Sequence, residues 1–247
     1  WVIIFQMNIL FTMAGKYERF KLFGNKIPKY LVPLGKNTVL WHVINSLPRK
    51  DSINVFFIAN NNDVDFFPVI SSIVNDFGIE KKNIRFIQDT KSQLETATLG
   101  LELIYKEIDD SLPISFMNID TILLNRSKHF DILEYEDGFQ GLIDTFTANS
   151  NEYSYADTTE DGQVLNIVDK TKISQNACSG LYSFKESKNF LSLSKALLDL
   201  NQEANFTSFY KSIIEKDYVV QSSFHENKSD TIVLGTPEEY VTNLHRF

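Results

Sequence analysis

The chain has 247 residues, enough for one large domain with a substantial core. Its 43% hydrophobic and 23% charged content is that of an ordinary soluble globular protein. A formal net charge of −8 argues against a partner that is a nucleic-acid polymer, which needs clustered Lys and Arg, yet leaves room for a mononucleotide in a local positive pocket.

Residues 1–6 precede Met7 and read as an upstream or non-native leader, leaving 7–247 as one domain. The run Trp1–Ala14 lacks the basic start of a secretory signal and is interrupted by Gln6 and Asn8. No apolar run approaches the roughly 20 residues that span a bilayer, so a cytoplasmic protein with no membrane partner is expected. The first strand, Asn8–Met13, ends abruptly in Ala14-Gly15, and two cations follow, Arg19 and Lys29. Gly15 has no Cβ, so backbone N–H groups there are open to a phosphate, and Arg19 and Lys29 supply the charge to neutralise it.

The pattern then alternates. Helices are predicted over Val39–Leu47, Val64–Phe77 and Leu94–Glu107, and strands over Ile53–Ala59, Ile84–Gln88 and Ile114–Ile119. Alternation of this kind predicts a mostly parallel sheet covered by helices. Asp120 stands at the carboxyl end of the last of these strands, where open α/β sheets gather ligands; it reads either as a Mg²⁺ ligand or as a cap for the next segment.

After Asp120 the segments shorten and look antiparallel. Asp161-Gly162 predicts a two-residue hairpin within Thr158–Asp169, and Ala177–Phe184 reads as a strand. Helices follow at Ser187–Leu200 and Phe206–Lys216, strands at Tyr218–Phe224 and Thr231–Leu234, and a last helix opened by Thr236-Pro237. Taken alone, Gln88 reads as an exposed loop amide and Asp169-Lys170 as solvated charge beside a strand. Cys178 is the only cysteine and the four histidines have no ligand-like spacing, which excludes an intramolecular disulfide and a Cys- or His-rich metal centre. Cys178 reads as strand packing, His42 as a helix-surface residue and the 20 Phe as scattered core.

Residues Phe11–Pro33 resemble the signature loop of the sugar-phosphate nucleotidyltransferases, or NDP-sugar pyrophosphorylases, through Ala14, Gly15, Arg19, Pro28, Lys29 and Leu31. Further segments match in the same order along nearly all of Met7–Tyr240. The resemblance assigns Ala14, Gly15 and Gln88 to the nucleotide, with Gln93 where the family has a glycine. It assigns Asp120 to the metal, Asp169 and Lys170 to sugar hydroxyls and the sugar-linked phosphate, and Gly180 and Tyr182 to the sugar pocket. Arg19 and Lys29 become the catalytic cations.

The implied fold is α/β, a single-domain Rossmann-like, mostly parallel sheet with flanking helices and a smaller antiparallel sugar-binding portion. The implied reaction joins an NTP and a sugar phosphate with Mg²⁺ as cofactor, releases pyrophosphate, and makes an activated sugar such as surface polysaccharide needs. Self-association is left open. The departures that bear most on catalysis are Tyr17, Glu18 and Val233. Tyr17 should tighten the loop, and Glu18 should place an anion among the triphosphate oxygens. Val233 stands where the family has its second metal-binding Asp; its facing is ambiguous, and Asp230 is a candidate substitute. Two other functions fit the same residues: a cytidylyltransferase for a non-sugar phosphate such as phosphocholine, using Tyr153, Tyr155 and Tyr182 as an aromatic cage, or a catalytically inactive nucleotide-sugar binder.

Overall fold

The computed structural model describes residues 6–22, 24, 26–48 and 53–247, so the expected leader falls, apart from Gln6, outside the described residues. The strands begin with β1 (Met7–Met13), the short ribbon β2 (Pro33–Leu34) and β3 (Asn37–Thr38), β4 (Ile53–Asn60), β5 (Ile84–Ile87) and β6 (Ile114–Asn118). They continue with β7 (Thr121–Leu123), β8 (Gly141–Thr147), β9 (Tyr155–Thr158), β10 (Val164–Val168), β11 (Asn176–Phe184), β12 (Val220–His225) and β13 (Thr231–Val233). The helices are α1 (Glu18–Leu22), α2 (Val39–Asn45), α3 (Phe67–Asn75), α4 (Gln93–Ile104), α5 (Ser127–Tyr135), α6 (Ser187–Leu200), α7 (Phe206–Ile214) and α8 (Pro237–Asn243). None among the described residues is long and apolar enough to cross a membrane.

The main sheet has nine strands in the order β10-β9-β11-β6-β1-β4-β5, with β8 also on β11 and β12 on β8. The β6-β1-β4-β5 half is parallel; β11 runs antiparallel to β6, β8 and β9, and β12 returns parallel to β8. This is the expected α/β class with its antiparallel portion. Every residue of β1 is buried, because a central parallel strand is covered on both faces. Met7, Ile9, Phe11 and Met13 enter one core layer with α2 and α3, and Leu10 and Ala14 enter the other with α4. Helix α4 lies close against the sheet: a Cβ on Gly100 would meet Ile58 Cγ1 at 2.5 Å. Ser92 starts this helix by accepting from Glu95 N at 3.1 Å.

The position of the cavities follows from a fork in the sheet. Along one edge of β11, residues Asn176 and Ala177 pair with β9, whereas Leu181–Phe184 pair with β6. Ser179 and Gly180 make the transition, Gly180 at φ 92°. A Cβ there would lie 2.4 Å from Asn118 Nδ2, so only glycine admits this approach of β11 to the end of β6.

Three expectations change in detail. The helix predicted over Val64–Phe77 is a 3-10 turn, Asn61–Phe66, followed by α3. Pro68 lies in the first turn of α3, where its missing N–H costs nothing. The Asp161-Gly162 hairpin forms, but with a longer loop: Gly162 N bonds Thr159 O, Thr159 N bonds Gln163 O, and Gly162 sits at φ 87°. Helix α5 and strand β8 were not anticipated, because each carries a buried polar residue, His129 and Asp144, where the pattern called for an apolar one.

Those two residues belong to one network without exposed surface. Arg126 Nε donates to Asp144 Oδ2 at 2.9 Å, and Ser223 Oγ donates to Asp144 Oδ1 at 3.1 Å. His129 lies between Ser223 Oγ and Ser183 Oγ, each at 2.7 Å. Burial lowers the His129 pKa to about 4, with Asp144 opposing and His225 and Arg126 assisting. The unfolded chain therefore takes a proton near pH 6.5 that the folded chain refuses, and stability falls as pH drops from 6.5 towards 4. The expected loss from this group is about 3 kcal/mol. Urea unfolding between pH 7 and 4 checks it, and His129→Asn should flatten the slope even while lowering stability at neutral pH.

Candidate functional site

The loop after β1 is held from below. Tyr17 has a left-handed backbone, φ 41°, and its hydroxyl donates to Asp63 Oδ1 at 2.5 Å. Tyr30, next to Lys29, donates to Asp63 Oδ2 at 2.9 Å. Asp63 itself has no exposed surface. Burial pushes its carboxyl pKa up, while the two tyrosine hydrogen bonds pull it down. The substitution expected to tighten the loop thus turns its ring away from the cavities and ties both ends of the loop to the turn after β4. Glu18 does not line either cavity described below; it pairs with Lys21 at 3.4 Å on α1.

A cavity of about 390 Å³ lies over the carboxyl ends of β1 and β6 and the start of α4. Gly15, Lys16, Lys29, Gln93, Asn118 and Asp120 are on its wall. Lys29 Nζ and Asp120 Oδ2 form an ion pair at 2.5 Å, both side chains about one-fifth exposed at 22% and 18%. Gln93 Nε2 donates to Thr12 Oγ1 at 3.1 Å. A Cβ on Gly15 would meet nothing within 4 Å, so any demand for glycine there comes from a ligand rather than from the chain.

A second cavity, about 260 Å³, opens in the sheet fork and shares Asn118 and Asp120 with the first. Arg19, Glu152, Tyr153, Gly180, Tyr182 and Glu239 line it. Tyr182 is stacked on Phe206 with centroids 4.4 Å apart, so its ring is fixed. Gly235 lies behind Asp120: a Cβ there would be 3.2 Å from Asp120 Oδ2 and 3.5 Å from Glu239 Oε2. Glu239 completes a capping box with Thr236 at the start of α8. Cys178 also reaches the wall, but burial pushes its thiol up to about 12, so it is no nucleophile at neutral pH.

The structure therefore gathers Gly15, Lys29, Gln93 and Asp120 at one cavity and Arg19, Asp120, Gly180 and Tyr182 at the other. Arg19, expected beside the nucleotide, borders the second cavity only. Ala14 is buried, its carbonyl accepting from Asn60 Nδ2 at 2.9 Å. Gln88 is exposed and Lys170 is exposed, and neither reaches a wall. Asp169 is exposed too, but Ser154 of the second cavity donates to it at 2.8 Å. Tyr155 is buried with its hydroxyl on Ser150 O and lines neither cavity. Asp230 accepts from Asn125 and Asn227, both at 3.1 Å, away from both cavities. Reading by sequence missed Lys16, Asn118, Glu152 and Glu239. Lys16 follows Gly15 in the signature loop, and that adjacency was the one available signal.

Val233 resolves its ambiguity: it lines the second cavity, whereas Ile232 and Leu234 are buried in the core. Val233→Asp should fold with a modest loss of melting temperature, while Ile232→Asp should lose several kcal/mol because its charge has no partner. Thermal melts of the two variants side by side check this. Tyr17→Phe leaves a buried carboxylate short of one donor and should cost about 1–3 kcal/mol in urea unfolding.

No protein-family model matches the chain, and no curated protein sequence does. Solved structures do. The nucleoside-diphosphate-sugar pyrophosphorylase from Vibrio cholerae RC9 superposes with a TM-score of 0.82 at 25% identity, over 96% of this chain and 99% of that one. The inositol-1-phosphate CTP transferase from T. maritima superposes with a TM-score of 0.73 at 13% identity, over 98% of this chain and 96% of that one, a likeness of fold. Over nearly its whole length, then, the chain is similar to an NDP-sugar pyrophosphorylase and resembles the sugar-phosphate nucleotidyltransferases.

Proposed function

We propose that this protein is a nucleotidyltransferase that moves a nucleoside monophosphate from an NTP to a phosphate ester and releases pyrophosphate. The observation that carries this reading is the common wall: two cavities meet at Asp120, whose partner is Lys29. The NTP would occupy the first cavity and the phosphate ester, a sugar phosphate on the leading reading, the second. An acceptor phosphate oxygen then attacks the α-phosphorus in line, forming the new P–O bond as the bond to pyrophosphate breaks. The nucleophile is already an anion, so no base is required, and catalysis consists of positioning and charge neutralisation. Lys29 meets the charge on the α-phosphate, Lys16 borders the first cavity beside the remaining phosphates, and Arg19 borders the second, where it would meet the acceptor phosphate.

Asp120 offers a hard carboxylate donor suited to Mg²⁺, with substrate phosphates and water completing the shell, while the nearby Glu239 Oε2 is taken up by Thr236. Bound there, Mg²⁺ would supply Lewis-acid neutralisation of phosphate charge. The named activity of the T. maritima neighbour favours a second reading, a CTP-dependent transferase for a non-sugar phosphate. Pyrophosphate release across four NTPs and a panel of sugar and non-sugar phosphates tests both; binding of nucleotide without turnover of any pair would leave only the inactive binder.

Lys29→Ala and Arg19→Ala should each lower turnover by about 10²–10³, the usual effect of losing one charge contact in a transition state. Arg19 is exposed, so its variant should melt with the wild type. Asp120→Asn should raise the Mg²⁺ concentration needed for half-maximal rate. Steady-state rates in a Mg²⁺ titration check all three.

A further inference from the structure

We propose that Asp89, which lines neither cavity, is a positioning residue for an incoming triphosphate: it holds Lys16 directly and the main chain at Ala14 through Asn60. The assignment rests on the nucleotidyltransferase reading and adds to it a residue that acts through others. The contacts close a ring. Asn60 ends β4 and is 2% exposed. Its Nδ2 carries two hydrogens and has two acceptors, Ala14 O at 2.9 Å and Asp89 Oδ1 at 2.8 Å, while its Oδ1 accepts from Asn62 N at 2.9 Å. A flipped amide would set oxygen against oxygen at both acceptors, so its orientation is fixed. Asn62 Nδ2 donates to the same Asp89 Oδ1 at 3.1 Å. The other carboxylate oxygen, Oδ2, pairs with Lys16 Nζ at 3.3 Å.

From Ala14 O through Asn60, Asp89 and Lys16 the path returns to the main chain two residues further on. Gly15 lies between, with no side chain of its own and nothing packed where a Cβ would be. Its conformation therefore depends on what holds its two neighbours. The hydrogen bonds from Asn60 and Lys16 also keep the Asp89 carboxyl below the usual carboxylate range, so it stays an anion at neutral pH. Lys16 lines the first cavity with 53% of its side chain exposed. A lysine left free there would lose its side-chain freedom on meeting a ligand. Held by Asp89, its stem is already ordered, and an ammonium with three donors keeps two for phosphate oxygens. A half-exposed ion pair adds little to stability, so its consequence lies in where the ammonium points. The opposing effect is repulsion between Asp89 and the triphosphate. Solvent at the exposed rim screens that longer-range repulsion more than it screens the short ion pair. Removing the Asp89 charge should therefore weaken triphosphate binding rather than strengthen it.

Calorimetric titration of the full chain with inorganic triphosphate, which has no base or sugar to be read, tests this in a four-member cycle: wild type, Asp89→Asn, Lys16→Met and the double variant. Asparagine keeps the oxygen that Asn60 and Asn62 bond, so Asp89→Asn removes the charge alone, and an unchanged melting temperature verifies folding. Asp89→Asn should bind inorganic triphosphate about fivefold more weakly than wild type. In the Lys16→Met background the same substitution should change affinity by less than about twofold, because a residue that acts through Lys16 then has nothing to position. With any substrate pair that turns over, the loss should appear in KM for the NTP and leave kcat nearly unchanged. Unchanged or tighter triphosphate binding in Asp89→Asn overturns the assignment, as does no binding by wild type. An equal loss in both backgrounds overturns it too, because Lys16 is then not the route. Failure of the transferase reading is distinguishable: no pyrophosphate release with any NTP and acceptor, while the cycle holds, removes the chemistry and keeps Asp89 as the support of an anion site.

Discussion

The Asp63 carboxyl sits without exposed surface between the hydroxyls of Tyr17 and Tyr30, and the geometry of the site depends on that arrangement. A buried carboxylate is costly unless its oxygens are hydrogen-bonded, so two donors converging on one group stabilise a contact that either alone would not. Tyr17 lies two residues before Arg19, and Tyr30 directly follows Lys29. One side chain from the neighbouring βα turn thereby sets the height of both cations. The left-handed backbone of Tyr17, unfavourable for a residue with a ring, persists because its side chain is anchored.

Around that anchor, glycine decides where chain segments can approach one another. Gly180 brings β11 onto Asn118 and forces the sheet to fork, and Gly235 lets the strand end at β13 come up behind Asp120. Leu234 N completes the contact by donating to Asp120 O at 2.7 Å. That bond places the Asp120 main chain, while Gly235 leaves room beside its carboxylate and Lys29 pairs with it. Its direction is set before any substrate arrives, which is the preorganisation that electrostatic catalysis needs.

Local signals carried most of the architecture. The apolar run of β1, the 3.6-residue spacing of Leu94, Ala97, Leu101 and Ile104, and the Thr236-Pro237 helix start each have a cause within a few residues, and all formed as read. What escaped was set over long distances. His129 and Asp144 look like surface residues until Ser183 and Ser223 arrive from β11 and β12 and Arg126, at the start of α5, reaches Asp144 on β8. The facing of Val233 required knowing that β13 pairs with β7. At the site, Lys29 and Asp120 form an ion pair across 91 residues of sequence, which no local signal announces. Arg19 bordered the other cavity, and Glu239 entered the site through a capping box that by itself signals only a helix start.

Asn118 and Asp120 belong to both cavities, so the two compartments are not energetically independent. Any ligand that draws Asp120 away from Lys29 releases a positive charge towards the first cavity and reorients a negative one towards the second. By thermodynamic linkage, whatever factor one occupant gains from its neighbour, the neighbour gains in return. On the proposed reading, with a single carboxylate shared by the two cavities, coupling between their occupants would arise at the partition itself and need no movement of the fold around it.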